Sequence, residues 1–283
     1  MKLANVGGRA VLVVGEGAGI DLERASQGRI GPDPQDVVAR WDVFLDFISR
    51  LRYSPENADV SFTPADLGPP VPRPSQVFAI GVNYREHADE AGYPPDSLPV
   101  TFTKFASCLT GPQAEVALPT DTVDWEVELV VVIGRRGRNV SRDAAWDHVA
   151  GVTVGQDLSE RTSQLEGSKP QYSLAKSFQG FGPTGPWLVT PDELPDRDDL
   201  AISCSIGDET LQSSRTSRMI YDIPELIARL SAVCELQPGD LIFTGTPSGV
   251  GNARTPKRFL TPAEELVSSI EGIGSIRTTF RTA

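Results

Sequence analysis

Residues 124–134 read DWEVELVVVIG, and this run limits the possible folds more than any other stretch of the chain. Its Val, Leu and Ile content is that of a buried strand, yet Glu126 and Glu128 are set into it two residues apart. In a strand, residues i and i+2 share a face, so the two carboxylates project side by side, with Val127 and Leu129 opposite. Two adjacent carboxylates in a poorly solvated site cannot both stay ionised cheaply. One takes a raised pKa, or a cation neutralises the pair. A hard divalent cation with oxygen ligands meets that need directly. An exposed edge strand with two hydrated glutamates meets it equally well, and the run alone does not separate the two.

Composition narrows the partners. The 283 residues carry 38 acidic against 26 basic side chains, a formal charge of −12. Nucleic-acid surfaces usually have the opposite sign, so no nucleic-acid partner is expected. An anionic substrate requires a local cluster of Arg, Lys or metal. The 26 Gly and 23 Pro, scattered along the chain, favour many strands and turns. Cys108, Cys204 and Cys234 are too widely spaced for a thiolate zinc site or a disulfide framework. The apolar stretch near Met1 is too short for a signal peptide, and no run approaches the roughly 20 residues that span a bilayer. A cytoplasmic protein without a membrane partner is expected.

Residues 1–20 alternate like a hairpin. DPQDVVARWDVFLDFISRL has helical spacing, with Val38, Trp41, Phe44, Leu45 and Ile48 on one stripe, Asp33 as N-cap and Pro34 at the first helical position. Five prolines in TPADLGPPVPRPSQ mark a boundary between a small N-terminal unit, residues 1–70, and a main unit, residues 73–283. Beyond it VFAIGVNY reads as a strand and REHADEAGY as a short helix, stopped by Gly92 and Pro94-Pro95. SRDAAWDHV and IPELIARLSAV read as two further helices among strands.

Four segments add chemistry to the glutamates. VGQDLSERTSQ puts Asp157 at a strand end, with Arg161 and Gln164 following. SLAKSFQGFGPTGPW puts Lys176 in a glycine-rich loop. GDLIFTGTPSGVG ends a strand in a Gly/Thr loop that lacks the lysine of a nucleotide-binding P-loop. NYREHADE spaces His87 and Glu90 at i, i+3, where helical side chains meet. By its charged neighbours alone, His87 reads as exposed. His148, at a helix end, reads as structural, and Trp125 and Trp187 read as packing residues.

Together and in this order, the five motifs resemble the fumarylacetoacetate hydrolase family across residues 73–283. The resemblance implies a mixed, β-rich α+β fold, with a β-sandwich or rolled-barrel core and a small N-terminal α/β domain. It implies Glu126, Glu128 and Asp157 as ligands of Mg²⁺ or Mn²⁺, with Ca²⁺ a possible occupant in a crystal. Val82-Asn83-Tyr84 stands where another branch has D-x-Y, so a fourth carboxylate ligand is absent, as in the small-acylpyruvase branch. His87 becomes the general base on a mobile lid, Glu90 its orienting partner, and Lys176 the stabiliser of an enolate. Tyr84, Lys104, Arg161, Gln164, Gly245 and Thr246 become substrate anchors, and a homodimer is implied. Ala175 stands where Gly often precedes the KSF lysine, a mild departure. The reaction so implied is hydrolysis of a carbon–carbon bond in a 2,4-dioxo acid. Decarboxylation of an oxaloacetate-type acid, isomerisation of a 2-hydroxy-dienoate, and metal binding without turnover stay open beside it.

Overall fold

The computed structural model describes residues 1–94 and 96–283. Pro95, half of the expected Pro-Pro break after His87, lies outside them.

The strand Val127–Ile133 is buried at every residue, and its alternation serves two cores. Val127, Leu129, Val131 and Ile133 belong to one apolar cluster, and Val130 and Val132 to another. The strand is therefore covered on both faces, which is why its apolar run is nearly continuous. It is central in a sheet whose order is Val60–Ser61, Ala18–Asp21, Arg9–Gly15, Lys2–Val6, Gly182–Val189, Val149–Gln156, Val127–Ile133, Leu241–Phe243, Val77–Gly81 and Val100–Thr103. Two short strands, Leu67–Gly68 and Leu109–Thr110, pair off this path.

One face packs on a five-stranded sheet ordered Glu209–Arg215, Ala201–Ile206, Glu265–Ile270, Gly274–Thr282 and Gln113–Leu118. The shared core joins Leu129 and Val154 to Ile202, Leu266 and Ile276, which makes a sandwich. Among the described residues the large sheet is open at Val60–Ser61 and at Val100–Thr103, so the core is a sandwich and not a closed barrel.

The opposite face is covered by the N-terminal helices. Asp33 caps the first, with Pro34 at its start, as the sequence suggests. The single expected helix is two, Pro34–Ala39 and Trp41–Ile48, because Arg40 leaves helical geometry at φ −119° and ψ 44°. The break turns Val38, Trp41, Phe44 and Ile48 onto the sheet and leaves Leu45, expected on the same stripe, 38% exposed. The N-terminal strands continue the main sheet, since Lys2–Val6 pairs with Gly182–Val189. SRDAAWDHV forms a 3₁₀ segment, Arg142–His148, in place of an α-helix. No helix among the described residues is long and apolar enough to cross a membrane.

Candidate active site

The site forms where two strand ends meet. Val127–Ile133 and Val149–Gln156 run antiparallel, with Val127 opposite Gln156 and Glu128 opposite Gly155. Glu126 and Asp157, just outside this ladder, therefore fall side by side, and the Asp157 amide donates to the Glu126 carbonyl at 2.9 Å. One oxygen from each of Glu126, Glu128 and Asp157 lies within 4.8 Å of the others. All three residues are buried, which removes the hydrated edge-strand alternative.

The cations around them are distributed unevenly. Lys176 Nζ donates to Glu126 Oε2 at 2.7 Å, Asp157 Oδ2 at 2.8 Å and Ser159 Oγ at 2.7 Å. Arg161 Nη2 donates to Glu126 Oε1 at 2.8 Å. Burial penalises the charged form of Glu126, but Lys176 and Arg161 outweigh it and hold the pKa down at about 2. Glu128 has no ion-pair partner among the described residues and accepts only the Gly245 amide, at 2.8 Å. Burial first, then Asp157 and Glu126, pushes its pKa well above the usual carboxylate range. Gly245 makes its bond at φ +99°, where a Cβ would lie 2.7 Å from Asn83 Cβ. Only glycine fits there.

Three buried carboxylates, one of them without a cation partner, form an all-oxygen donor set of the kind that hard divalent ions take. Glu126, Glu128 and Asp157 fit such an ion.

A cleft of about 410 Å³ opens onto this cluster. Glu126, His87, Glu90, Lys176, Arg161, Gln164 and Thr246 all line it, so most of the expected site residues converge. His87 Nδ1 lies 2.7 Å from Glu90 Oε1, and the Glu90 carboxylate also accepts the Gly249 amide at 2.9 and 3.1 Å. The expectation that His87 is exposed is corrected: the residue is 9% exposed. The helix Arg85–Glu90 buries His87 and Ala88, while Glu86 turns outward to Arg218 at 3.1 Å. A short helix with one buried face can carry charged neighbours on the other.

Three expected substrate anchors stand behind the cleft. Lys104 is wholly buried, and its three ammonium hydrogens are taken by Asp157 Oδ1 at 2.6 Å, the Phe181 carbonyl at 3.2 Å and the Lys176 carbonyl. It braces a carboxylate of the cluster. Gly245 braces Glu128 in the same way. Tyr84 is fully buried, with a hydroxyl that has no hydrogen-bond partner among the described residues. Thr246 reaches the cleft while donating to the Val127 carbonyl at 2.9 Å. His148 bonds the Arg135 carbonyl at 3.1 Å, the structural role expected of it.

The sequence reading missed Asp124. Its buried carboxylate accepts Arg161 Nε and Nη2 at 2.9 and 2.7 Å, and the amides of Trp125, Gly251 and Asn252 at 2.8, 2.7 and 2.9 Å. The signal was available: Asp124, Glu126 and Glu128 follow one another at i, i+2 and i+4. Arg161, with its Nη1 on Gln164 Oε1 at 2.7 Å, is thus fixed from both sides. Ser159, which receives Lys176, was missed too, and serine in a strand end carries no distinctive spacing.

Known proteins share this architecture. The fumarylacetoacetate (FAA) hydrolase C-terminal family matches residues 76–281. The mitochondrial oxaloacetate tautomerase FAHD2A of Bos taurus is 44% identical over 209 residues, covering 73% of this chain and 67% of the relative. A crystal structure of a candidate HpcE protein from Mycobacterium smegmatis superposes with a TM-score of 0.93 at 52% identity, over 100% of both chains. Fumarylpyruvate hydrolase from Pseudomonas aeruginosa, solved with Mn²⁺ and pyruvate, gives a TM-score of 0.67 at 31% identity, covering 74% of this chain and 90% of its own. With its five motifs gathered on one cleft and matches of this extent, the chain belongs to the fumarylacetoacetate hydrolase family.

Proposed function

We propose that the protein hydrolyses a carbon–carbon bond in a 2,4-dioxo acid, with a divalent cation held by Glu126, Glu128 and Asp157. The observation that carries this reading is the His87–Glu90 pair on the wall of the cleft that reaches the carboxylate cluster. When bound, Mg²⁺ or Mn²⁺ supplies Lewis-acid polarisation of the substrate's oxygens.

The chain's own groups do the rest. Glu90 accepts the Nδ1 hydrogen of His87 and leaves Nε2 to take a proton from water. Arg161, held by Asp124, presents a guanidinium to an acidic substrate. Lys176 sets a positive charge where the enolate of the departing 2-oxo acid develops. A binding protein without turnover needs neither a base nor a charge so placed.

Keto–enol interconversion of oxaloacetate is the second reading, favoured by the 44% identity to the bovine tautomerase. There His87 would move one proton between carbon and oxygen, and no water would be consumed. Acetylpyruvate, fumarylpyruvate, oxaloacetate and a 2-hydroxy-dienedioate, each supplied with Mg²⁺ or Mn²⁺ and followed by product analysis, separate these. Pyruvate release from an acylpyruvate supports the first reading. Turnover of oxaloacetate alone overturns it.

A homodimer is part of this proposal. Leu98, Val100, Phe105, Leu174 and Phe178 are exposed on and beside the edge strand Val100–Thr103, an apolar surface of the kind that a second copy covers. Light scattering at micromolar concentration should give twice the 30.5 kDa chain mass.

A further inference from the structure

Four cationic side chains line the cleft, in a protein that is otherwise strongly acidic: Arg161, Lys176, Arg254 and Lys257. Three are matched by carboxylates. Arg161 faces Asp124 and Glu126, Lys176 faces Glu126 and Asp157, and Arg254 Nη1 donates to Glu209 Oε1 at 2.8 Å. Lys257 differs. Its ammonium donates to the neutral side-chain oxygen of Asn252 at 2.8 Å and has no carboxylate partner among the described residues. It is exposed, so its charge stands at the rim of the cleft.

The turn that carries this lysine is built. The Arg254 and Arg258 amides both donate to the Gly251 carbonyl at 3.2 Å, and a Cβ on Gly251 would lie 1.8 Å from the Arg258 carbonyl oxygen. Asp124 accepts the amides of Gly251 and Asn252, the same carboxylate that clamps Arg161. One buried anion therefore ties the inner arginine and the rim lysine into a single frame. With the inner end, Arg161 beside the carboxylate cluster, taking the 2-oxo-acid head, an unmatched positive charge at the rim suits a second charge at the far end of the ligand.

We propose that Lys257, braced by Asn252, receives the far carboxylate of a dicarboxylic 2-oxo acid, so that the site selects dioates over chains of equal length ending in a methyl group. This rests on the reading of the cleft as a 2-oxo-acid site. Asn252 holds the ammonium through a neutral oxygen, which leaves its charge for the ligand. The contact sits in partly solvated surroundings and acts on substrate choice, with the reacting atoms untouched.

The test uses ligands that need no turnover. The Mn²⁺-loaded protein is titrated by calorimetry with 2-oxoadipate against 2-oxohexanoate, and with 2-oxopimelate against 2-oxoheptanoate. In at least one pair the dicarboxylate should bind more tightly. Lys257→Gln should weaken that dicarboxylate about three- to tenfold and leave its partner unchanged, the range for a partly exposed ion pair. Lys257→Arg should retain the preference. Equal weakening within both pairs, or unaltered dicarboxylate binding by Lys257→Gln, overturns the assignment while leaving the 2-oxo-acid site standing. Failure of all four ligands to bind overturns both.

Discussion

Asp124 Oδ2 accepts two hydrogens of Arg161, from Nε at 2.9 Å and Nη2 at 2.7 Å, with both side chains buried. Asp124→Asn should break this pair from one side while Glu126 still faces the guanidinium. The loss expected is about 3 kcal/mol, the lower end for a buried ion pair deprived of one partner. Urea unfolding measures it, and a loss below about 1 kcal/mol would show that the pair is not a structural hub.

The two strand glutamates should respond oppositely. From the sequence, either substitution relieves like-charge repulsion and stabilises the metal-free protein. The structure divides them: Glu126 answers Lys176 and Arg161, whereas Glu128 faces Asp157 and Glu126 with no cation of its own. Glu128→Gln should raise the melting temperature in chelator, and Glu126→Gln should lower it by stranding two buried cations. Both should abolish turnover and weaken Mn²⁺ binding. Shifts of the same sign would refute the division.

His87→Ala should lower acylpyruvate hydrolysis by about two to four orders of magnitude, the usual contribution of a general base. Decarboxylation of oxaloacetate needs no activated water, so any such activity should largely survive in the same preparation. Equal losses in both reactions would mean that His87 positions substrate and is not the base.

Glu160 offers a pH signature away from the carboxylate cluster. It caps the helix Arg161–Gln164, accepting the Thr162 and Ser163 amides at 2.9 and 2.7 Å. Burial opposes its charge, but bonds from Ser163 and Thr122 win and hold the pKa at about 2. The folded value lies below the unfolded one, so this stability is complete above about pH 4.5 and fades as pH falls towards 2. Glu160→Gln should cost on the order of 2 kcal/mol at pH 7. The gap should narrow by about half as unfolding is measured down to pH 3, and a pH-independent gap would assign the effect to lost packing.

Local chemistry was legible from residue order. The i, i+2 spacing put Glu126 and Glu128 on one face, and the i, i+3 spacing paired His87 with Glu90, because strand and helix periods depend on backbone geometry alone. The Asp33 cap and the resemblance of five ordered motifs were likewise readable without coordinates. What a side chain spends its charge on was not. Lys104, Gly245 and Tyr84 looked like anchors, and only the packing of distant strands put Lys104 behind Asp157 and set the Gly245 amide on Glu128. The break at Arg40 and the burial of His87 likewise depend on which surface each helix meets. Sequence spacing sets the direction in which a residue points. Partners 53 residues away, as for Lys104 and Asp157, exist only once the sheet has brought their strands together.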